Sequence, residues 1–513
     1  MKRKREITAV VLAAGEGTRM KSSLPKVLHP VCGRPMLLVV LDALQELKPR
    51  RILVVAGNGA DLVREAVGDT AEVVVQERRL GTGHAVLTAE PHLEPNDENL
   101  LVLAGDTPLI TPSTLQELSG LFFESGAEAA MLTLRLPDPS GYGRVLRGRG
   151  GEVQAVVEEK DASEEVRAVD EVNASVYVFR RPDLFSCLRE VDNRNRKGEY
   201  YLTDVVGKLR ERGGRVVALL AGDAAEGMGV NTRAELAEAE RQMRLRVNRR
   251  LMQEGVGITD PTVTYIDLGV EVGRDTVIFP FTFLQGSTRV GENCRIGPGA
   301  RIVDSTLGDG VVVQESVVRE SVLEDGCSVG PYASLRPGTR LGKQAKAGTF
   351  VEMKNSSVGA GSKVPHLSYM GDAEIGEGVN VGAGSITCNY DGEKKHPTVI
   401  EDGAFIGSDT MFIAPVRIGR GAVTGAGSAI SKDVPPGALG VERAPQKIIE
   451  GWKKRKPSDT RRLRKLPPGE KLPPRGKQPP GEKSPPGEKS PPGEKSPPGE
   501  KSPPAGKAPR DGR

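Results

Sequence analysis

Residues 272–302 read VGRDTVIFPFTFLQGSTRVGENCRIGPGARI. Their aliphatic members Val272, Ile278, Leu284, Val290, Ile296 and Ile302 recur every six positions, commonly followed by glycine. A helix face repeats at about 3.6 residues and a half-buried strand at 2, so a period of six fits neither. One large aliphatic per six residues describes a short strand with one inward side chain, then small residues that turn a corner. Three such strands close one coil of a triangular parallel β-helix, and each coil is buried only by its neighbours. The pattern resumes at Leu323, Val329, Leu335, Leu341 and Ala347. After slips it passes Val358, Val364, Ile375 and Val381, and it ends with Ile406, Phe412, Ile418, Thr424 and Ile430. The stretch SITCNYDGEKKHPT (385–398) breaks the phase. A solenoid accommodates such an insertion as an outward loop, a usual place for a ligand or a neighbouring subunit.

Upstream the rhythm differs. Short apolar runs at 7–13, 52–56, 73–75, 100–104 and 129–134 alternate with helix-like stretches such as 37–47 and 111–124. This is the pattern of an α/β, Rossmann-like domain with a mostly parallel sheet covered on both faces. Such sheets bind ligands at the carboxyl ends of their strands, so the loops after Ala14 and Ala104 matter most. Residues 232–254 (TRAELAEAERQMRLRVNRRLMQE) are rich in helix formers, with Thr232 placed as an N-cap. The expected organisation is a nucleotide-handling domain at 1–231, a linker helix at 232–254, a β-helix domain at 255–452 and a tail at 453–513.

The tail is compositionally separate. It holds 16 of the 38 prolines, cycles through PPGEKS-like units, and carries 18 Lys/Arg against 7 Asp/Glu. Its net charge is +11 while the whole chain is +4, so residues 1–452 carry −7. A basic, nucleic-acid-binding body is thereby excluded, and the tail is expected to be extended and disordered. No apolar run approaches the roughly 18 residues of a membrane span. The basic Met1–Glu6 start followed by ITAVVLAAG breaks into a charged glycine loop, so a buried strand is expected there rather than a secretory signal. Five scattered cysteines, none in a C-x-x-C spacing, fit a reducing cytoplasm better than a disulfide framework or a zinc site.

LAAGEGTRMKSSLPKVL (12–28) ends a strand and opens a glycine turn where backbone can approach an anion, with Arg19 and Lys26 as nearby cations. Met20 stands where a dinucleotide fingerprint needs its third glycine, and the stretch is no Walker sequence. Alone, the turn is more often structural; Asp106 before Thr-Pro reads equally as a turn former, and His366 as an ordinary solenoid residue. The combination is different. L-A-A-G-x-G-T-R-M with L-P-K is the signature loop of sugar-nucleotide pyrophosphorylases. It occurs with QERRLGTGHA (76–85), AGDTPLI (104–110), GYGRV (141–145), VEEKDA (157–162), GEYYLTD (198–204) and GVNTR (229–233). The β-helix half adds LRPG (335–338), FVEMKN (350–355), HLSYMGDAEIG (366–376), CNYDG (388–392) and IGSD (406–409). Over about residues 6–452 the chain resembles the bacterial family of bifunctional N-acetylglucosamine-1-phosphate uridylyltransferases/glucosamine-1-phosphate N-acetyltransferases.

That resemblance implies two active sites that together make UDP-N-acetylglucosamine for the cell wall. In the first half, Leu12, Ala13, Ala14 and Gly15 would hold the nucleotide, with Gln76, Gly81 and Thr82 reading uracil. Lys26 and Arg19 would neutralise phosphate, and Asp106 and Asn231 would ligate Mg²⁺. Gly143, Glu158 and Asn173 would contact the N-acetylglucosamine part. UTP and the sugar 1-phosphate are both polyanions, which is why cations and a hard metal are required. In the second half, Arg336, Lys354, Tyr369 and Asn380 would bind glucosamine 1-phosphate, with His366 as general base. Ala383, Asn389, Tyr390, Ser408, Ala426 and Arg443 would contact acetyl-CoA. An ammonium cannot attack a thioester, and an imidazole, ordinarily of pKa about 6.5, can remove its proton at neutral pH. The family also implies a homotrimer with its acetyl-transfer sites between subunits.

Three departures stand out. Ala104 replaces an aromatic found in some relatives, Thr349 stands where Asn is more usual, and Pro365 precedes His366 and could re-aim that loop. Two rival readings remain at this point. One is a single-activity pyrophosphorylase whose β-helix only mediates assembly or regulation, and the other a non-enzymatic scaffold like the pyrophosphorylase-like subunits of translation-initiation exchange factors.

Overall fold

The computed structural model describes residues 6–452; the expected basic tail at 453–513 lies outside the described residues. Five of the runs read as strands are strands, at Thr8–Ala13, Ile52–Ala56, Glu72–Val75, Asn99–Ala104 and Ala129–Arg135. They form strands because they are apolar on both sides. Val10 packs with Leu53, Val55, Leu100 and Val102 on one face, while Val11 packs with Val54, Leu101 and Leu103 on the other. Helix Met36–Glu46 covers the second face through Leu37, Val40, Leu41 and Leu44, and helix Thr82–Ala89 covers the first through Ala85, Val86 and Ala89. The sheet runs Val216–Leu220, Ala129–Arg135, Glu171–Arg180, Asn99–Ala104, Thr8–Ala13, Ile52–Ala56 and Glu72–Val75. Only Glu171–Arg180 in that order runs antiparallel to its neighbours.

From Gly257 the chain winds through three parallel sheets of 11, 10 and 9 strands, the three walls of the left-handed β-helix. Every aliphatic assigned to the six-residue pattern is buried except Val272, which is partly buried at the first coils. The apparent gap between Ile302 and Leu323 is not a break. Leu307, Val313 and Val318 point inward there, because some corners are turned with five residues instead of six. Past Leu439–Gly440 there is no further strand among the described residues, and 441–452 are exposed, so the coils stop short of the expected limit at 452.

Helix Arg233–Gln253 joins the two halves. Thr232 caps it through a capping box with Glu235. Ala239, Met243, Val247 and Leu251 pack into one core with Ile258, Ile266 and Ile278 of the first coils and with Val31 and Cys32 of a hairpin that follows the Lys26 loop. The Cys32 carbonyl accepts from Leu268 N at 3.0 Å. The loop carrying Lys26 is therefore anchored to the solenoid as well as to its own sheet.

Candidate functional sites

A cleft of about 630 Å³ opens at the carboxyl ends of Thr8–Ala13 and Asn99–Ala104. Leu12, Ala13, Ala14, Gly15, Arg19, Lys26, Gln76, Gly81, Thr82, Asp106, Glu158 and Asn231 all line it. Gly143 and Asn173 do not. They are bonded to each other, Asn173 N donating to the Gly143 carbonyl at 2.9 Å. Gly17 has φ +62°, and a Cβ there would meet Lys26 Cβ at 2.8 Å, so glycine lets the loop close around that lysine.

The Lys26 ammonium reaches Asp106 Oδ2 and also Asn231 Oδ1, the latter at 3.0 Å. A carboxylate and a carboxamide oxygen thus converge on one cation position, a hard-donor set that suits Mg²⁺ completed by phosphate and water oxygens. Asn231 is fixed by the helix that follows it: Glu235 Oε2 accepts from Asn231 N at 2.7 Å and Thr232 N at 2.8 Å.

At the other end of the cleft, the segment 198–204 is clasped to the segment 76–85. Gly83 N donates to the Tyr200 carbonyl at 2.8 Å, and Leu202 N donates to Thr82 Oγ1 at 3.0 Å. Gln76 is buried and its Nε2 lies 2.8 Å from His84 Nδ1; burial holds His84 below the usual imidazole value, which favours a neutral ring that accepts this bond. Burial likewise raises the pKa of Glu158, opposed by Lys197 and by the Thr203 hydroxyl donating at 3.2 Å. His84, Lys197 and Thr203 had no role in the sequence reading, although His84 and Thr203 fall inside quoted motifs.

On the β-helix, coil-to-coil register does what sequence spacing cannot show. Thr349 pairs with His366, and Lys363 with Asn380, which sets His366 opposite Ala383 on the next coil. Val381 pairs with Ile406, setting Ala383 opposite Ser408, and Gly407 N donates to the Thr424 carbonyl, setting Ser408 opposite Ala426. His366, Ala383, Ser408 and Ala426 therefore form one column along an edge of the prism. Arg443 Nη1 returns to the Ala426 carbonyl at 3.1 Å. Pro365 sits within the strand Lys363–His366, and the pairing of that strand with Lys346–Thr349 is kept at His366. Its imidazole is exposed.

Around the corner, Arg336 and Lys354 hold equivalent positions on successive coils, since Leu335 pairs with Met353. Tyr369 stands on the next coil, paired with Glu352. Arg336 Nη1 meets Glu352 Oε1 at 2.8 Å, and Asn389 Nδ2 donates to Asp372 Oδ2 at 2.6 Å. The projecting loop brings Lys395 to the same place. Its ammonium lies beside Lys354 and, with some desolvation and Arg336, lowers the Lys354 pKa, while Asp372 opposes this. Lys354 thus sits between two further cations, Lys395 and Arg336, with Glu352 and Asp372 as the nearby counter-charges. Lys395 was visible in the sequence only as one of several loop cations. Tyr390, on the same loop, is exposed and its hydroxyl donates to the Gly392 carbonyl.

Residues 9–181 match the family of MobA-like NTP transferase domains, and residues 397–432 match the bacterial transferase hexapeptide family of six repeats. Full-length relatives match over both halves. The chain is 53% identical to the bifunctional protein GlmU of Heliobacterium modesticaldum over 449 residues, 88% of this chain and 98% of the relative. It is 50% identical to the bifunctional protein GlmU of Thermotoga maritima over 87% of this chain and 99% of the relative. It is 49% identical to that of Shouchella clausii over 85% and 96%. The two halves, their order and their full extent are shared, and the chain belongs to the bifunctional GlmU family.

Proposed function

We propose that the chain makes UDP-N-acetylglucosamine in two steps at two separate sites. The β-helix transfers acetyl from acetyl-CoA to glucosamine 1-phosphate, and the α/β domain then transfers uridylyl from UTP to the N-acetylglucosamine 1-phosphate, releasing pyrophosphate. The observation that carries this reading is the coexistence of the Lys26–Asp106–Asn231 convergence with the His366–Ala383–Ser408–Ala426 column.

At the acetyl-transfer site, Arg336, Lys354 and Lys395 hold the substrate phosphate, and Tyr369 and Asn380 flank the sugar. His366 takes the proton from the substrate ammonium, the freed amine attacks the thioester carbonyl, and the C–S bond breaks as the imidazolium returns that proton to the departing thiolate, the amide nitrogen losing its surplus proton to water. The small side chains of Ala383, Ser408 and Ala426 leave room for the donor along the edge, with Asn389, Tyr390 and Arg443 around it. At the uridylyl-transfer site, Gln76, Gly81 and Thr82 face the base and Leu12–Gly15 the nucleotide. Asp106 and Asn231 would hold Mg²⁺, which when bound supplies charge neutralisation for the in-line displacement. Lys26, freed from Asp106, and Arg19 turn to phosphate oxygens, and the sugar phosphate attacks the α-phosphorus. Glu158, backed by Gly143 and Asn173, accepts hydrogen bonds from the sugar.

A homotrimer completes the acetyl-transfer site in this reading. Beside the His366 column runs an apolar ridge in which Tyr332, Phe350 and Leu367 are 54%, 57% and 62% exposed. All three have positive φ, an uncommon backbone for bulky residues. A second copy covering this ridge would put its own residues next to His366. Its five unbridged cysteines suit the cytoplasm, and no helix among the described residues is long and apolar enough to cross a membrane.

The test is a paired assay of the purified full-length chain. His366→Ala should abolish acetyl transfer and spare uridylyl transfer, and Asp106→Ala should do the reverse. Loss of both activities in either well-folded variant contradicts separate sites; absence of acetyl transfer in the parent leaves a pyrophosphorylase alone.

A further inference from the structure

Ser175 is the one non-glycine residue of the cleft lining, among the described residues, with a left-handed backbone, at φ +57°. The cause lies in the strand Glu171–Arg180, whose pairing with Ala129–Arg135 slips between Asn173 and Tyr177. That bulge throws Ser175 out of the ladder. Its side chain is exposed to the cleft, while its neighbours Ala174 and Val176 are 2% and 0% exposed. Asn173 Oδ1 holds its backbone N–H at 3.0 Å, but its hydroxyl has no protein partner among the described residues. Glycine would adopt this backbone freely, whereas serine is strained in it, and such strain persists where the side chain has work to do.

The position says what the hydroxyl faces. Val176 pairs with Leu103, so Ser175 lies alongside Ala104, whose methyl leaves the floor of the cleft open. Asp106 is two residues beyond Ala104 on one side, and Glu158 with its Thr203 partner lines the same cleft. We propose that Ser175 is a binding residue for the pyranose of the sugar 1-phosphate, its hydroxyl hydrogen-bonding a polar substituent of the sugar. The proposal rests on reading the cleft as the uridylyl-transfer site.

Two variants of the full-length chain separate the hydroxyl from the backbone. Ser175→Ala removes the hydroxyl and keeps the strained Cβ; Ser175→Gly removes both and relieves the strain. Steady-state uridylyl transfer is measured with Mg²⁺, varying N-acetylglucosamine 1-phosphate at saturating UTP and then the reverse. Both variants should raise KM for the sugar phosphate by about three- to tenfold, the worth of one neutral hydrogen bond, with KM for UTP unchanged. Ser175→Gly should melt no lower than Ser175→Ala. Unchanged sugar-phosphate KM in Ser175→Ala, or a rise in the UTP KM instead, overturns the proposal. A parent enzyme without uridylyl transfer would instead overturn the reading of the cleft itself.

Discussion

Asp204 opens the helix Asp204–Glu211, directly after the Thr203 that bonds Glu158. Burial first, then the charges of Glu158, Asp192 and Asp161, push its carboxyl up to about 6, only partly offset by Lys208. The unfolded value is about 3.9, so between those two pH values the folded chain holds more protons than the unfolded one. This carboxyl therefore lowers stability as pH rises from about 4 to about 6. Asp204→Asn should be more stable than the parent at pH 7.5 by about 1 kcal/mol, well below the full linkage because the group is partly exposed. Denaturant unfolding at pH 4 and 7.5 checks this; an equal gain at both would contradict it. At this scale the sequence was only partly legible. Asp106 and His366 were candidates from their motifs, but Lys395 and Ser175 gain their positions from a loop excursion and a strand bulge. Neither feature leaves a periodic trace in one sequence.

The cap of helix Arg233–Gln253 serves packing and, in the proposed reading of the cleft, chemistry as well. Glu235 satisfies the N–H groups of Thr232 and Asn231, and so fixes the backbone of Asn231, whose amide oxygen lies 3.0 Å from Lys26 Nζ. Glu235→Ala should lose about 1 kcal/mol in stability, the usual cost of a cap. It should also require more Mg²⁺ for uridylyl transfer while leaving acetyl transfer intact, which a magnesium titration of both activities would read. The elements themselves were legible because their physics is periodic. The strands around Val10 and Val54 are buried on both faces, and the linker helix begins at the expected Thr232 cap. The coils around Leu307 and Val318 were not, because a five-residue corner shifts the phase without changing the fold.

For the whole molecule, the proposed trimer rests on the exposed Tyr332–Phe350 stack, whose ring centroids are 5.3 Å apart. Light scattering should report a trimer for the parent. The double variant Tyr332→Asp/Phe350→Asp should be monomeric, with acetyl transfer down about tenfold or more and uridylyl transfer unchanged. A monomeric parent that acetylates at full rate would refute shared sites. The edge column has a consequence of its own. With coils spaced by about 4.8 Å, Ala426 stands about 14 Å along the prism from His366, so the solenoid is a ruler graduated in whole turns. Deleting one complete turn between them would let the walls close again and keep the fold, yet would shift the far end of an acyl donor by one graduation from the imidazole. Reach, rather than stability, would be what such a shortened protein loses.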